Sequence, residues 1–187
     1  MDTKRDQLVD DFVKFALVAL LIVLPIRAFV AQPFVVRGES MEPTFKDGDY
    51  LIVDQLSYRL GAPRRGDVII MRYPKDQSLF FIKRIIGLPG ETVELEGSNV
   101  VVDRPNAAPI TLDEPYVEAG HLENEYGSYT LGPTDYFVMG DNRIASSDSR
   151  SWGVLPRADI VGHAALRLLP ITEIAALPGS APLNNTK

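Results

Sequence analysis

The sequence predicts a mainly β protein: curled antiparallel sheets or a partial barrel with a small accessory β element, preceded by one N-terminal transmembrane helix. Three observations carry this. Short runs rich in β-branched and aromatic residues recur between turn signals such as Asp47-Gly48, Arg65-Gly66, Pro89-Gly90 and Gly140-Asp141. The 14 prolines and 14 glycines suit a turn-rich β domain and are too many for a helix bundle. One long apolar stretch lies near the N-terminus, over residues 12–31.

That stretch, FVKFALVALLIVLPIRAFVA, is the first element. As a helix it would extend about 30 Å, roughly the hydrocarbon thickness of a bilayer. Residues 15–26 carry no charge, and Lys14 and Arg27 stand near its ends, where long basic side chains reach the interface. No small-residue cleavage site follows, so a retained single-pass anchor is expected rather than a removed leader. Residues 1–11 form a head. Lys4, Arg5 and Lys14 outweigh the aspartates in the positive-inside rule, which places the N-terminus in the cytoplasm. Residues 32–172 then form an extracytoplasmic domain.

Within that domain the predicted strands fall at 50–53, 68–71, 79–86, 100–102 and 136–139, with a short helix over 54–60. Residues 91–134 read as a small accessory β insert. The tail, 173–187, is expected to be flexible.

Composition excludes several classes of function. The 187 residues amount to one domain, with 45% apolar and 24% charged residues. There is no cysteine, hence no disulfide framework, thiolate nucleophile or thiolate metal site. A net charge of -6 argues against nucleic-acid binding, which needs a basic face. The only histidines, His121 and His163, are far apart in the chain, so no metal is expected, and no organic cofactor.

Three polar islands interrupt the β pattern. The first, Gly38-Glu39-Ser40-Met41-Glu42-Pro43-Thr44, lies just beyond the anchor. Ser40 is a nucleophile placed to meet a membrane-associated substrate, or else a solvated serine in a Pro-Thr turn. The second is Lys83. In a strand, Phe81, Lys83 and Ile85 share one face and Ile82, Arg84 and Ile86 the other, and both faces are largely apolar. One of the two cations must therefore lie against hydrophobic surface. Lowering a lysine pKa from near 10.4 to about 7.4 costs about 4 kcal/mol, and a neutral amine is a general base. The plainer alternative is an edge-strand lysine that blocks aggregation. The third is Gly140-Asp141-Asn142-Arg143-Ile144-Ala145-Ser146-Ser147-Asp148-Ser149-Arg150, a fixed loop with Asp–Arg pairs.

In this order the islands resemble the signature boxes of bacterial type I signal peptidases, the Ser/Lys dyad or leader peptidase family. Ser40-Met41-Glu42-Pro43-Thr44, then Lys83-Arg84-Ile85-Ile86-Gly87-Leu88-Pro89-Gly90-Glu91, then the 140–150 loop followed by Trp152-Gly153-Val154, carry the likeness. It spans residues 12–170. The resemblance implies a membrane-anchored serine endopeptidase that removes N-terminal signal peptides from exported precursors after small residues of the A-x-A type. It matches Ser40 to the nucleophile and Lys83 to the general base. Ser146 matches the serine that orients the lysine, and Asp148 and Arg150 the supporting charged pair. Val36, Met41, Phe45 and Ile82 match by position as walls of the substrate pockets. The expected partners are precursor proteins and membrane lipid, the enzyme acting as a monomer in a bacterial-type plasma membrane or an equivalent internal one.

Three positions depart from the family pattern. Gly38 stands where some members carry a serine that donates to the oxyanion. Glu91 replaces the usual Asp. Ile144-Ala145 replace a polar pair. Three other readings compete. A self-cleaving repressor-type Ser/Lys protease would lack the anchor. A Ser-His-Asp hydrolase would use His163 with Asp141 or Asp148. A membrane-tethered β binding module would show no turnover.

Overall fold

The computed structural model describes residues 3–25, 31–121 and 124–180. Helix α1 (Thr3–Pro25) opens the chain. Twelve β-strands follow among the described residues, with two one-turn helices, α2 (Ser57–Leu60) and α3 (Ser149–Trp152).

The main sheet contains β1 (Ala31–Val35), β2 (Tyr50–Asp54), β3 (Val68–Tyr73), β4 (Asp76–Gly87), β9 (Asp135–Met139), β10 (Leu155–Pro156), β11 (Ile160–Leu169) and β12 (Ala175–Ala176). Its order is β1-β2-β11-β3-β4-β9-β10, with β12 added to β11, and every pairing is antiparallel. The sheet rolls up. Phe34 on β1 and Phe80 on β4 have ring centroids 5.5 Å apart, although three strands separate β1 from β4 in the sheet order. The register shifts along β11 and β4 supply that curvature, since a bulge raises local twist.

The second sheet is the accessory element: β5 (Thr92–Gly97), β6 (Asn99–Asp103), β7 (Ile110–Thr111) and β8 (Glu125–Thr130), in the order β7-β6-β5-β8. Alternation explains its packing. Val93, Leu95, Val100 and Val102 point inward onto Ile86, Phe137 and Met139 of the main sheet, while charged neighbours face water. Two further apolar clusters lie within the rolled sheet, one around Val36, Leu51 and Ile82, the other around Ile69, Ile85 and Leu155.

One expectation needs correction, the transmembrane helix over 12–31. Among the described residues no helix is long and apolar enough to cross a membrane. The charges up to Lys14 fall inside α1, which leaves a charge-free part of about 16 Å, roughly half a bilayer core. Residues 26–30 lie outside the described residues, and from Ala31 the chain is strand. Phe12, Phe15, Leu17, Leu20 and Leu21 of α1 are exposed. Of the tail expected over 173–187, residues 173–180 are described: β12 pairs with β11, Leu177 N–H donates to the Ala165 carbonyl at 2.7 Å, and Pro178 is buried; residues 181–187 lie outside the described residues.

Candidate active site

Two of the unpaired strand edges of the rolled sheet face each other across a groove. β1 ends the sheet and pairs only with β2. On β4, pairing with β9 begins at Arg84, so residues 80–83 pair with β3 alone. The groove holds about 290 Å³ and is lined by Phe34, Val36, Ile70, Phe80 and Ile82, with Ser40 and Lys83 at its polar end.

Ser40 sits in a tight turn. The Glu42 N–H donates to the Glu39 carbonyl at 3.1 Å and the Phe45 N–H to the Met41 carbonyl at 2.9 Å. Gly38, with φ +86°, turns the chain into it, and its N–H donates to Asp47 at 2.9 Å. That left-handed conformation strains any side chain, so glycine suits position 38.

Lys83 meets Ser40 from the facing strand. Its Nζ lies 2.7 Å from Ser40 Oγ and donates to the Ile82 carbonyl at 2.9 Å. It also stands 5.5 Å from the Phe81 ring centroid. The residue is only 3% exposed. Burial pushes its pKa down from 10.5 to about 8, partly opposed by the carboxylates of Asp148 and Asp141, while the Arg150 charge lowers it further.

The 140–150 loop locks this arrangement. Asp148 is fully buried and caps α3. Its carboxylate accepts from Arg150 Nε at 2.8 Å, Arg150 Nη2 at 2.9 Å and the Gly140 N–H at 3.0 Å. Arg150 also donates to the Arg143 carbonyl at 2.6 Å, closing the loop on itself. The Asn142 N–H donates to the Ser40 carbonyl at 3.1 Å. A methyl group at Gly140 would collide with the Ser40 carbonyl and with Ser146 Oγ, so only glycine lets loop and turn approach this closely.

Not every site expectation is met in this geometry. Ser146 is placed beside Gly140, but its Oγ is buried without a hydrogen-bond partner and makes no bond to Lys83. Val36 and Ile82 line the groove, whereas Met41 and Phe45 do not. The Met41 and Phe45 side chains are fully buried in the core cluster around Leu51 and Val53. His163 does not line the groove. It packs against Tyr58, with ring centroids 5.2 Å apart.

Several residues escaped the sequence reading. Arg84 and Asp141 form a bidentate pair at 2.7 and 2.5 Å, and both side chains are 0% exposed. Thr44 Oγ1 donates to the same carboxylate at 2.5 Å, tying the Ser40 turn to it. Tyr116 covers the Arg84 guanidinium at 3.7 Å. Glu114 accepts both Arg143 terminal nitrogens, at 3.0 and 2.5 Å, anchoring the insert to the loop. Glu91, one of the departures, pairs with buried Arg65 at 2.5 Å and accepts the Leu88 N–H at 2.7 Å. The 140–150 loop holds two Asp and two Arg, so its charge balance gave no sign that acids outside it take part. Of the remaining departures, Ile144 is exposed and Ala145 borders the groove.

A family model described as "Signal peptidase, peptidase S26" matches residues 9–169. A Leptolyngbya laminosa protein named signal peptidase I is 36% identical over 181 residues, covering 93% of this chain and 86% of its own length. Signal peptidase I P of Bacillus subtilis subsp. natto is 34% identical over 169 residues, covering 88% and 91% respectively. A solved signal peptidase I structure from Enterococcus faecalis aligns at 29% identity with a TM-score of 0.47, over 55% of this chain and 97% of its own. The family match runs through both the Ser40 turn and the 140–150 loop, and the chain belongs to the signal peptidase family, peptidase S26, as a serine endopeptidase.

Proposed function

We propose that this enzyme removes signal peptides from exported precursors, cutting after small residues, with Ser40 as nucleophile and neutral Lys83 as general base. The observation that carries the reading is the 2.7 Å contact between Lys83 Nζ and Ser40 Oγ at the end of an apolar groove. In the protonated form Nζ donates to Oγ. Once neutral, the amine accepts the Ser40 proton as Oγ attacks the scissile carbonyl. The lysine then protonates the departing amine, and the acyl-enzyme is hydrolysed by a water that Lys83 activates in turn. The Ser40 N–H at the turn receives the oxyanion. Asp148 and Arg150 hold the loop that fixes the Ser40 carbonyl, and Ser146 fills the space beside it.

The substrate binds as an added strand between the free edges of β1 and β4. Buried Val36 and Ile82 form the floor and leave room for small side chains only, so selection works by exclusion. Exposed apolar groups on α1, together with exposed Leu79 and with Phe80 of the groove, hold the enzyme against a lipid surface. The catalytic unit comprises residues 32–172 together with the ordered 173–180 segment.

The test is cleavage of a purified precursor carrying an Ala-x-Ala site, with the cut located by mass spectrometry. Cutting after the second Ala is expected, with none by Ser40→Ala and none when that Ala is replaced by Leu. Cutting elsewhere, or by Ser40→Ala, would remove the reading. The rate carries a pH signature. A base with pKa about 8 is mostly protonated at pH 7, so kcat/KM is expected to rise with pH to an inflection near 8. An inflection near 6.5, the range of an unperturbed histidine, would point to His163 instead.

A further inference from the structure

The ordered C-terminal segment makes its polar contacts where catalysis needs precision. Residues 171–180 are mostly exposed, and Pro178 is their one buried residue, so little apolar area depends on them. Beyond the strand pairing with β11, they attach at two points, and both lead to the turn that carries Ser40.

The first point is Gly179. Its carbonyl accepts from Arg84 Nη1, the same guanidinium that grips Asp141, and Asp141 accepts the Thr44 hydroxyl. Gly179 also lies flat on the turn. A Cβ there would sit 2.6 Å from Thr44 Cγ2 and 3.1 Å from Phe45 Cε2, and its φ of +74° is a conformation glycine alone adopts freely. The second point is Glu173, which accepts from Arg167 Nη1 at 3.0 Å and pairs with Lys46 at 3.5 Å. Arg167 Nη1 donates in turn to the Thr44 carbonyl at 3.2 Å, and its guanidinium lies 5.1 Å from the Phe45 ring centroid. Thr44 is therefore held by its hydroxyl from one side and by its carbonyl from the other, four residues from Ser40.

We infer that residues 171–180 are a strap that positions the Ser40 turn, with Gly179 and Glu173 as its two attachments to Thr44. The strap touches neither the groove nor Lys83 among the described contacts, so it acts on turnover and not on substrate binding. A displacement of about 1 Å in a reacting group can cost about 10²-fold. The kinetic half of this inference rests on Ser40 being the nucleophile.

The test compares Gly179→Ala, a chain ending at Ile174 and a chain ending at Ser180, all in the full-length background otherwise. For the first two, kcat is expected to fall about tenfold or more with KM within about twofold. The chain ending at Ser180 is expected to match wild type. Hydrogen exchange, read without substrate, is expected to quicken at the amides of residues 41–45 in the first two and to stay unchanged around Lys83. Exchange tests the strap even if the wild type cleaves no precursor, which separates this inference from the proposed function. Three results would overturn it: kcat within twofold of wild type for Gly179→Ala, faster exchange confined to residues 171–180, or general unfolding of Gly179→Ala, which would make the segment a support of the whole fold.

Discussion

Lys83→Met is expected to cut turnover by orders of magnitude while leaving the protein at least as stable as wild type at pH 7. The loss in kcat should be on the order of 10²–10⁴-fold, the usual contribution of a positioned base. The stability side follows from linkage. The folded-state pKa, about 8, lies below the ordinary value of 10.5, so between these pH values the unfolded chain binds more protons than the folded one. Stability therefore rises with pH across that window, and at neutral pH the buried ammonium costs about 3 kcal/mol. Methionine has a similar length and no charge to desolvate. Urea unfolding at pH 7 and pH 9 checks this: wild type gains stability between the two, and the variant lacks that gain. A lysine kept only for structure would give the opposite pattern, a loss of stability with activity falling in proportion to the unfolded fraction.

The second large effect is predicted for Asp141→Ala. This change strands the Arg84 guanidinium in a fully buried site, with two carbonyls and the Tyr116 ring as its remaining contacts. Breaking one side of a buried pair costs about 3–5 kcal/mol, because the surviving charge is left uncompensated. For a chain of this size that is a fall in melting temperature of about 6–20 °C. Activity is expected to fall further than the folded fraction, since the same carboxylate holds Thr44 and through it the Ser40 turn. Thermal melts paired with initial rates at a temperature where the variant is folded test both parts. A variant that melts with wild type would show that water or a shifted side chain replaces Asp141 at no cost.

The sequence pattern located β2, β3, β4, β6 and β9 because each is a run of β-branched or aromatic residues between turns. β11 escaped, although it is ten residues long and central to the sheet. Its register shifts break the period of two, and Gly162, His163 and Arg167 dilute its apolar content. β1 was hidden for another reason. Its first residue is apolar and continuous with the preceding stretch, so hydropathy alone ran the helix into the strand.

At the site, the argument from strand faces required one of Lys83 and Arg84 to be buried. Both are, because β4 is covered on both faces over its second half. What spacing does not encode is which partners a buried charge finds. Ser40 and Lys83 are 43 positions apart, and Arg84 and Asp141 are 57 apart. Rolling of the sheet brings the first pair together, and the pairing of β4 with β9, which sets Arg84 opposite Met139, brings the second. The likeness to a family named the first pair; the second, like the two attachments to Thr44, was visible only in the folded chain.

The central claim is that Lys83 is a neutral base held against Ser40. The most direct measurement is the NMR titration of its ε-carbon in ¹³C-lysine-labelled protein, with the resonance assigned by its absence in Lys83→Met. A midpoint about 8, well below those of the exposed lysines, is the expected result. A midpoint above 10, as for a solvated lysine, would mean that the amine stays charged at working pH, and Ser40 would need another base.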